Sequence, residues 1–254
     1  MHPPVENLDE SIERAAAELK KAKKVAVLTG AGVSAESGVP TFRASDGLWE
    51  GHAIEDVATP AGFRRDPLLV WKFYNARRAT AARVKPNPGH LALAAMERRW
   101  GDGFTLITQN VDGLHFAAGN RNVLELHGSL YRTRCAGCGE IKDRGLEPLG
   151  DLPACPTCNG TLRPDIVWFT EPLPPDAWRK AERAARTCDV LLVVGTSAVV
   201  YPAAGVIPIA KDRPTPAAVI ECNLTKTEAS ALADVGLYGP SGEMLPKLIE
   251  RLDS

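Results

Sequence analysis

Apolar positions along the chain alternate between helical spacing and short continuous runs. Between residues 7 and 24 they recur every three to four positions, which predicts a helix, and residues 25–29 then form a β-prone run. Similar runs are residues 104–108, 122–126, 188–194 and 217–222. Further helices are predicted over residues 67–83, 88–100, 176–186, 202–211 and 243–252. This alternation predicts an α/β fold with a mostly parallel sheet covered by helices.

Two irregular stretches interrupt the alternation. Residues 129–164 are rich in Gly, Pro, Cys and charge and lack a long apolar period, which indicates a small module inserted into a larger domain. Residues 33–65 are also irregular, and loops of that length in a compact domain are usually functional. Asp66 and Asn87 are suitable N-caps for the helices that follow them.

Composition and charge exclude several classes of protein. With 30 basic and 31 acidic residues among 254, the formal net charge is -1, so no global field attracts nucleic acid or an anionic membrane surface. No apolar stretch approaches the roughly 20 residues of a membrane span, and no signal-peptide pattern is evident. We therefore expect a globular protein of the cytoplasm, with no membrane partner.

Four of the six cysteines form two Cys-x-x-Cys pairs. Residues 139–154 separate Cys135 and Cys138 from Cys155 and Cys158, a spacing typical of zinc sites. Four thiolates fill a tetrahedral shell and leave no position for substrate, so we expect one structural Zn²⁺. Four free thiols in a reduced protein are the alternative.

A glycine-rich turn and polar residues follow three of the predicted strands. Residues 30–35, Gly-Ala-Gly-Val-Ser-Ala, lie where such a turn places backbone N–H groups against a dinucleotide pyrophosphate. Residues 45–49, which precede the candidate ribose-binding acid Glu50, lack the sequence pattern of a buried strand, which disfavours an ordinary hydride-transferring dehydrogenase. Gln109, Asn110 and Asp112 follow residues 104–108, and His127 follows residues 122–126. These side chains suit a ribose or carboxamide, with histidine available as a general base.

The combined motifs resemble the sirtuins, which are NAD-dependent protein lysine deacylases. The resemblance covers nearly the whole chain, in the family's order. Its motifs are residues 30–43, 47–49, 109–112, 127–128, the four cysteines, 195–197 and 223–224.

The resemblance implies a Rossmann-like NAD domain over about residues 1–40, 85–128 and 165–254, and a small domain from residues 41–84 and 129–164. NAD and an acylated lysine of a protein or peptide would enter the cleft between them. His127 would be the catalytic base. The residues implied to bind NAD are Gly30, Ala31, Gly32, Ala35, Glu36, Thr41, Phe42, Arg43, Trp49, Gln109, Asn110, Val111, Asp112, Gly195, Thr196, Ser197, Asn223, Leu224 and Ser241.

The family's chemistry would use NAD as a co-substrate. Nicotinamide leaves the ribose, the acyl oxygen attacks the same carbon, and His127 removes a ribose hydroxyl proton. The activated 2′-oxygen would then attack the resulting imidate carbon, and water would complete the reaction to free lysine, nicotinamide and 2′-O-acyl-ADP-ribose.

The acyl preference is implied by Tyr74 and Arg77, which share a helix face at i, i+3 spacing. They resemble the Tyr-x-x-Arg of the sirtuins that remove acidic acyl groups, and a guanidinium suits the carboxylate of succinyl- or malonyl-lysine. Ala35 and Thr41 also resemble that class, with Ala35 leaving room for a longer acyl chain. A surface arginine beside a packed tyrosine is the alternative.

Two residues depart from the family pattern. Thr170 replaces the glycine of Phe-Gly-Glu; because threonine resists positive φ, the backbone there is expected to take another conformation. Ala44 replaces a glycine of the NAD loop and would restrict it.

Two other functions compete with lysine deacylation. Mono-ADP-ribosyl transfer would use the same NAD site. A nucleic-acid-binding ribbon in residues 129–164 is disfavoured, because acidic residues offset the basic ones there.

Overall fold

The computed structural model describes residues 7–41, 48–49 and 51–254, and at positions 48 and 49 only the backbone. The α-helices of these residues are α1 (Leu8–Lys21), α2 (Gly32–Ala35), α3 (Ile54–Val57), α4 (Pro60–Arg65), α5 (Pro67–Ala81), α6 (Pro88–Trp100), α7 (Leu114–Ala118), α8 (Pro175–Thr187), α9 (Val206–Lys211) and α10 (Ser241–Asp253). The strands are β1 (Val25–Thr29), β2 (Leu48–Trp49), β3 (His52–Ala53), β4 (Phe104–Thr108), β5 (Val123–Glu125), β6 (Gly128–Cys135), β7 (Ile141–Asp143), β8 (Leu162–Ile166), β9 (Val190–Val194), β10 (Ala218–Asn223) and β11 (Val235–Tyr238).

Six strands form a parallel sheet in the order β11-β10-β9-β1-β4-β5. The chain runs outward from β1 through β4 to β5 and later returns to β9, on the other side of β1. Connections diverge at such a switch point, which leaves a crevice beyond the carboxyl ends of β1 and β9. The α/β, Rossmann-like fold class is confirmed.

Helices cover both faces of this sheet. One face packs against α1, α6 and α10 through side chains such as Leu19, Met96 and Leu248. The other packs against α8 and α9, through Ala181 and Ile207 among others. Strand β1 is buried along its whole length, which explains its continuous apolar run.

A second region combines helices α3 to α5 with the antiparallel sheet β7-β6-β8. Trp71 and Tyr74 of α5 share an apolar cluster with Leu130 of β6 and Leu162 of β8. The Trp71 indole N–H donates to the Leu162 carbonyl at 2.9 Å. One core therefore includes residues of both predicted insertions, whose exact boundaries remain a prediction.

Most of the predicted elements are present. Residues 104–108 and 88–100 form β4 and α6 with the predicted bounds, and Asp66 and Asn87 cap α5 and α6. The helix predicted over residues 202–211 begins instead as a 3₁₀ turn at Ala203–Gly205. Strand β11 and the antiparallel sheet were not predicted as elements. No helix in the described part of the chain is long and apolar enough to cross a membrane.

Candidate active site

A cleft of about 480 Å³ lies at the switch point, bounded by the parallel sheet and by the region of α5 and β8. Most of the predicted ligand-binding and catalytic residues line it. They are Gly30, Ala31, Gly32, Thr41, Arg77, Gln109, Asn110, Val111, Asp112, His127, Gly195, Thr196, Ser197, Asn223 and Leu224.

Among the described residues predicted to bind NAD or the acyl group, four do not line the cleft. Ser241 and Glu36 bind each other, with Ser241 Oγ 3.1 Å from Glu36 Oε1. Ala35 is exposed outside the cleft, and Tyr74 is fully buried behind Arg77. Phe42, Arg43 and Ala44 lie outside the described residues, as does the Trp49 side chain.

Backbone contact between two turns forms the floor of the cleft. Gly32 N–H donates to the Gly195 carbonyl at 2.7 Å, which joins the turn after β1 to the turn after β9. A Cβ atom on Gly32 would lie 2.7 Å from that oxygen, so no larger residue fits without a backbone shift. This glycine-lined floor, followed by the N-terminus of α2, fits a pyrophosphate.

Polar side chains then join the ends of three strands. The Gln109 amide after β4 donates to Thr196 Oγ at 3.0 Å, and Asn223 at the end of β10 donates to the Thr196 carbonyl at 2.8 Å. These contacts place amide and hydroxyl groups along one wall of the cleft.

His127 has an orientation that suits a general base. Its Nδ1 lies 3.1 Å from the Gln109 carbonyl oxygen, which can only accept, so Nδ1 carries the hydrogen and Nε2 carries the lone pair. Burial lowers the pKa of His127 below its usual value. The imidazole is therefore mainly neutral at pH 7 and can accept a proton through Nε2.

A buried polar network that the sequence did not reveal supports the cleft from behind. Ser34 Oγ donates to Asp112 Oδ2 at 2.8 Å and accepts from the Asn110 amide at 3.1 Å. His90 Nε2 lies 3.3 Å from the same Ser34 oxygen. Ser34 and His90 belong to different helices, and no spacing motif connects them. The network fixes the orientation of two cleft-lining side chains, Asn110 and Asp112.

His115 packs against His90, with ring centroids 4.9 Å apart. Its Nε2 lies 3.0 Å from Thr29 Oγ1. Burial, followed by the nearby His90, lowers the pKa of His115 to about 3. Burial also lowers the pKa of His90. Both rings are therefore neutral parts of the protein interior at pH 7.

The four predicted metal ligands converge at the end of β6. The sulfur atoms of Cys135, Cys138, Cys155 and Cys158 all lie within 4.8 Å of one another. The Cys135–Cys158 and Cys138–Cys155 sulfur distances are 3.5 and 3.9 Å. Tetrahedral Zn–S bonds of about 2.3 Å require sulfur separations of about 3.8 Å, so the donor set and its size fit Zn²⁺.

Arg77 reaches the cleft from α5. Its guanidinium carbon lies 5.8 Å from the ring centres of both Phe73 and Tyr74. The Tyr74 hydroxyl accepts the Trp168 indole N–H at 2.9 Å. The predicted pair is therefore split: Arg77 lines the cleft and Tyr74 lies behind it.

The expectation for Thr170 is wrong. Thr170 has φ of +75°, the left-handed conformation that a glycine would adopt, and it lines the cleft. The bidentate ion pair between Glu171 and Arg163 fixes the chain immediately after it. The surrounding contacts therefore determine this backbone conformation, at some cost in strain for a β-branched residue.

Comparison with known proteins agrees with the resemblance. The model of the Sir2 family matches residues 30–202. NAD-dependent protein deacylase 2 of Pyrobaculum aerophilum is 50% identical over 236 residues, covering 92% of this chain and 93% of the relative. NAD-dependent protein deacylase sirtuin-5, mitochondrial, of Danio rerio is 44% identical over 260 residues, covering 92% and 85%. The crystal structure of a Sir2 homolog–NAD complex is 43% identical with a TM-score of 0.88, covering 95% and 93%. The chain belongs to the Sir2 family.

Proposed function

We propose that this protein is an NAD-dependent protein lysine deacylase that removes acetyl groups and the acidic succinyl and malonyl groups. Its products would be free lysine, nicotinamide and 2′-O-acyl-ADP-ribose. The observation that carries the proposal is one cleft lined by the glycine turns, by His127 and by Arg77. The deacylase names of the relatives support the reaction, and Arg77 supports the acyl preference.

The sheet side of the cleft would hold NAD. Gly30, Gly32 and Gly195 offer a close backbone approach for the pyrophosphate, and Gln109, Asn110 and Asp112 suit the ribose and carboxamide. Bound NAD supplies the ribose that accepts the acyl group. His127, neutral and with Nε2 as an acceptor, would remove a proton from a ribose hydroxyl.

The helical side of the cleft would hold the acyl group. Arg77 is the sole Arg or Lys among the described residues that line the cleft. The acidic Glu171 nearby is engaged by Arg163 at 2.6 and 2.8 Å. A half-buried guanidinium would bind the distal carboxylate of succinyl- or malonyl-lysine through charge-assisted hydrogen bonds.

Zn²⁺ at the four cysteines would be structural. The thiolates would occupy every position of its tetrahedral shell, and none of these cysteines lines the cleft. Bound zinc would connect the end of β6 to residues 155–158.

Product analysis tests the proposal directly. One peptide sequence that carries acetyl-, succinyl- or malonyl-lysine is incubated with NAD and the wild-type protein, and the products are identified by mass spectrometry. We expect free lysine peptide with O-acyl-ADP-ribose, and a higher kcat/KM for the acidic acyl groups. An ADP-ribose adduct on protein without deacylation would instead support mono-ADP-ribosyl transfer. If the wild type prefers acetyl-lysine, the proposed preference for acidic acyl groups is refuted and the proposed deacylase reaction is retained.

A further inference from the structure

Trp168 is a buried residue that connects the chain after β8 to helix α5. Its side chain packs in the cluster that also contains Tyr74, and the centres of their rings are 6.4 Å apart. The indole N–H donates to the Tyr74 hydroxyl oxygen at 2.9 Å. This buried bond joins the two segments that bound the acyl side of the cleft.

The bond determines what the Tyr74 hydroxyl can do. A phenol has one hydrogen to donate, and accepting from Trp168 occupies one of its lone pairs while the hydrogen remains. Burial raises the pKa of Tyr74 to about 12, so the hydroxyl keeps its hydrogen at neutral pH. Tyr74 is therefore a neutral residue held by Trp168 behind the cleft, one helical turn before Arg77.

The indole itself is fixed on several sides. The Arg163 guanidinium carbon lies 3.5 Å from the centre of the Trp168 ring, which is a cation–π contact. Arg163 binds Glu171 at 2.6 and 2.8 Å, and Glu171 also accepts the Trp168 backbone N–H at 2.9 Å. Phe63 packs near the indole, with ring centres 5.2 Å apart. The N–H therefore has a defined direction.

We propose that Trp168 is a positioning residue for acidic acyl groups: its indole N–H holds the buried Tyr74, against whose ring the Arg77 guanidinium lies, and so orients Arg77 toward the distal carboxylate. This inference rests on the proposed function. It adds a residue that acts through Tyr74, on a segment remote in sequence from α5.

A double-mutant cycle tests the inference. Trp168→Phe removes the indole N–H, Tyr74→Phe removes the hydroxyl, and the double variant removes both. We expect each single variant to raise KM for a succinyl-lysine peptide about three- to tenfold, which is the worth of one hydrogen bond, with a smaller change in kcat. The double variant should be no worse than the poorer single variant, because both changes break one interaction. The succinyl-to-acetyl ratio of kcat/KM should fall in all three.

Trp71→Phe is the matched control. Trp71 is also buried and belongs to α5, but its indole N–H donates to the Leu162 carbonyl at 2.9 Å. We expect its succinyl-to-acetyl ratio to equal that of the wild type, even where its Tm is lower.

Two outcomes would overturn the role of Trp168 alone. In the first, the wild type prefers acidic acyl groups, but the losses in kcat/KM of the Trp168→Phe and Tyr74→Phe variants add up in the double variant. In the second, the succinyl-to-acetyl ratio of kcat/KM falls as far in Trp71→Phe as in Trp168→Phe. The effect would then come from a general loss of packing around α5. A wild type without preference for acidic acyl groups would overturn both the acyl assignment and the inference.

Discussion

The two sides of the cleft are built in different ways. The side proposed to bind NAD, here called the nucleotide side, is formed by the turns after β1, β4, β9 and β10 and depends on backbone contacts and short polar side chains. The side proposed to bind the acyl group, here called the acyl side, is formed by α5 and residues 166–171 and presents long side chains held by aromatic packing and ion pairs. The strand order determines the shape of the nucleotide side, whereas particular side chains determine the shape of the acyl side. A substitution on the acyl side can therefore change specificity while the sheet stays intact.

Removal of the metal should have the largest effect on stability and activity, because it would remove a structural support of the acyl side of the cleft. Elemental analysis should find one zinc per chain, and a strong chelator or Cys155→Ser should lower Tm and abolish deacylation of every substrate. Structural zinc contributes roughly 10 kcal/mol or more in isolated zinc-finger peptides.

Cys188→Ala is the control for the metal experiment. Cys188 is buried outside the four-cysteine cluster, so this variant should keep its zinc. A wild type that contains no metal and has a chelator-insensitive Tm would contradict the prediction.

His127→Asn should have the next largest effect, since the proposed base would act on the reaction of every acyl group. Asparagine can still donate to the Gln109 carbonyl but cannot act as a base. We expect kcat to fall about 10²- to 10⁴-fold for all acyl groups. The Kd for NAD, measured by calorimetry, should stay within a few-fold of the wild-type value. If the His127→Asn variant keeps the wild-type kcat, His127 is not the catalytic base.

Arg77→Met should impair the acyl side of the cleft and leave the nucleotide side unchanged. Loss of a charge-assisted contact should lower kcat/KM for succinyl- and malonyl-lysine about 10- to 100-fold, and lower it far less for acetyl-lysine. Arg77→Lys keeps the charge without the planar fork and should be intermediate. Equal losses on all three peptides would show that Arg77 does not recognise the carboxylate.

Mild acid should have the smallest effect and should act on the nucleotide side. The pKa of His115 is about 3 in the folded protein and near 6.5 in an unfolded chain, so below pH 6.5 the unfolded state binds more protons. Stability from this residue is therefore complete above pH 6.5 and is lost as pH falls. Denaturant melts should show a loss of roughly 1 kcal/mol between pH 6.5 and 5.5.

His115→Gln tests the source of this acid sensitivity. Glutamine does not titrate, so the slope of unfolding free energy against pH should decrease even where the variant is less stable throughout. An unchanged slope would assign the acid sensitivity to other groups.

The sequence predicts the parallel sheet well because buried parallel strands are continuous apolar runs. Residues 25–29 and 190–194 show this pattern and form the adjacent strands β1 and β9. Strand β11 has only four residues and includes Gly236, so it gives little periodic signal. In the antiparallel sheet, β7 gives no apolar signal because it is exposed along its length. Strands β6 and β8 are mostly buried, but charged residues such as Arg132, Arg134 and Asp165 interrupt their apolar pattern.

The candidate site is less predictable wherever it depends on contacts between remote segments. Cysteine spacing predicts the convergence of the four cysteines, and strand-end position predicts that His127 lies at the cleft. The Ser34–His90 contact joins α2 to α6, and the Trp168–Tyr74 bond spans 94 positions. Helical spacing places Tyr74 and Arg77 on one face, yet only the packing of Trp168 reveals that Tyr74 lies behind the cleft.

The partner of His127 Nδ1 makes the proton position on this ring robust to mutation. Most substitutions at position 109 would remove the side-chain amide that reaches Thr196, but they would keep the main-chain carbonyl that accepts from His127. The tautomer is thus encoded in the path of the backbone after β4 rather than in a replaceable side chain. A change of residue at position 109 can alter the lining of the cleft without exchanging the roles of the two ring nitrogens of His127.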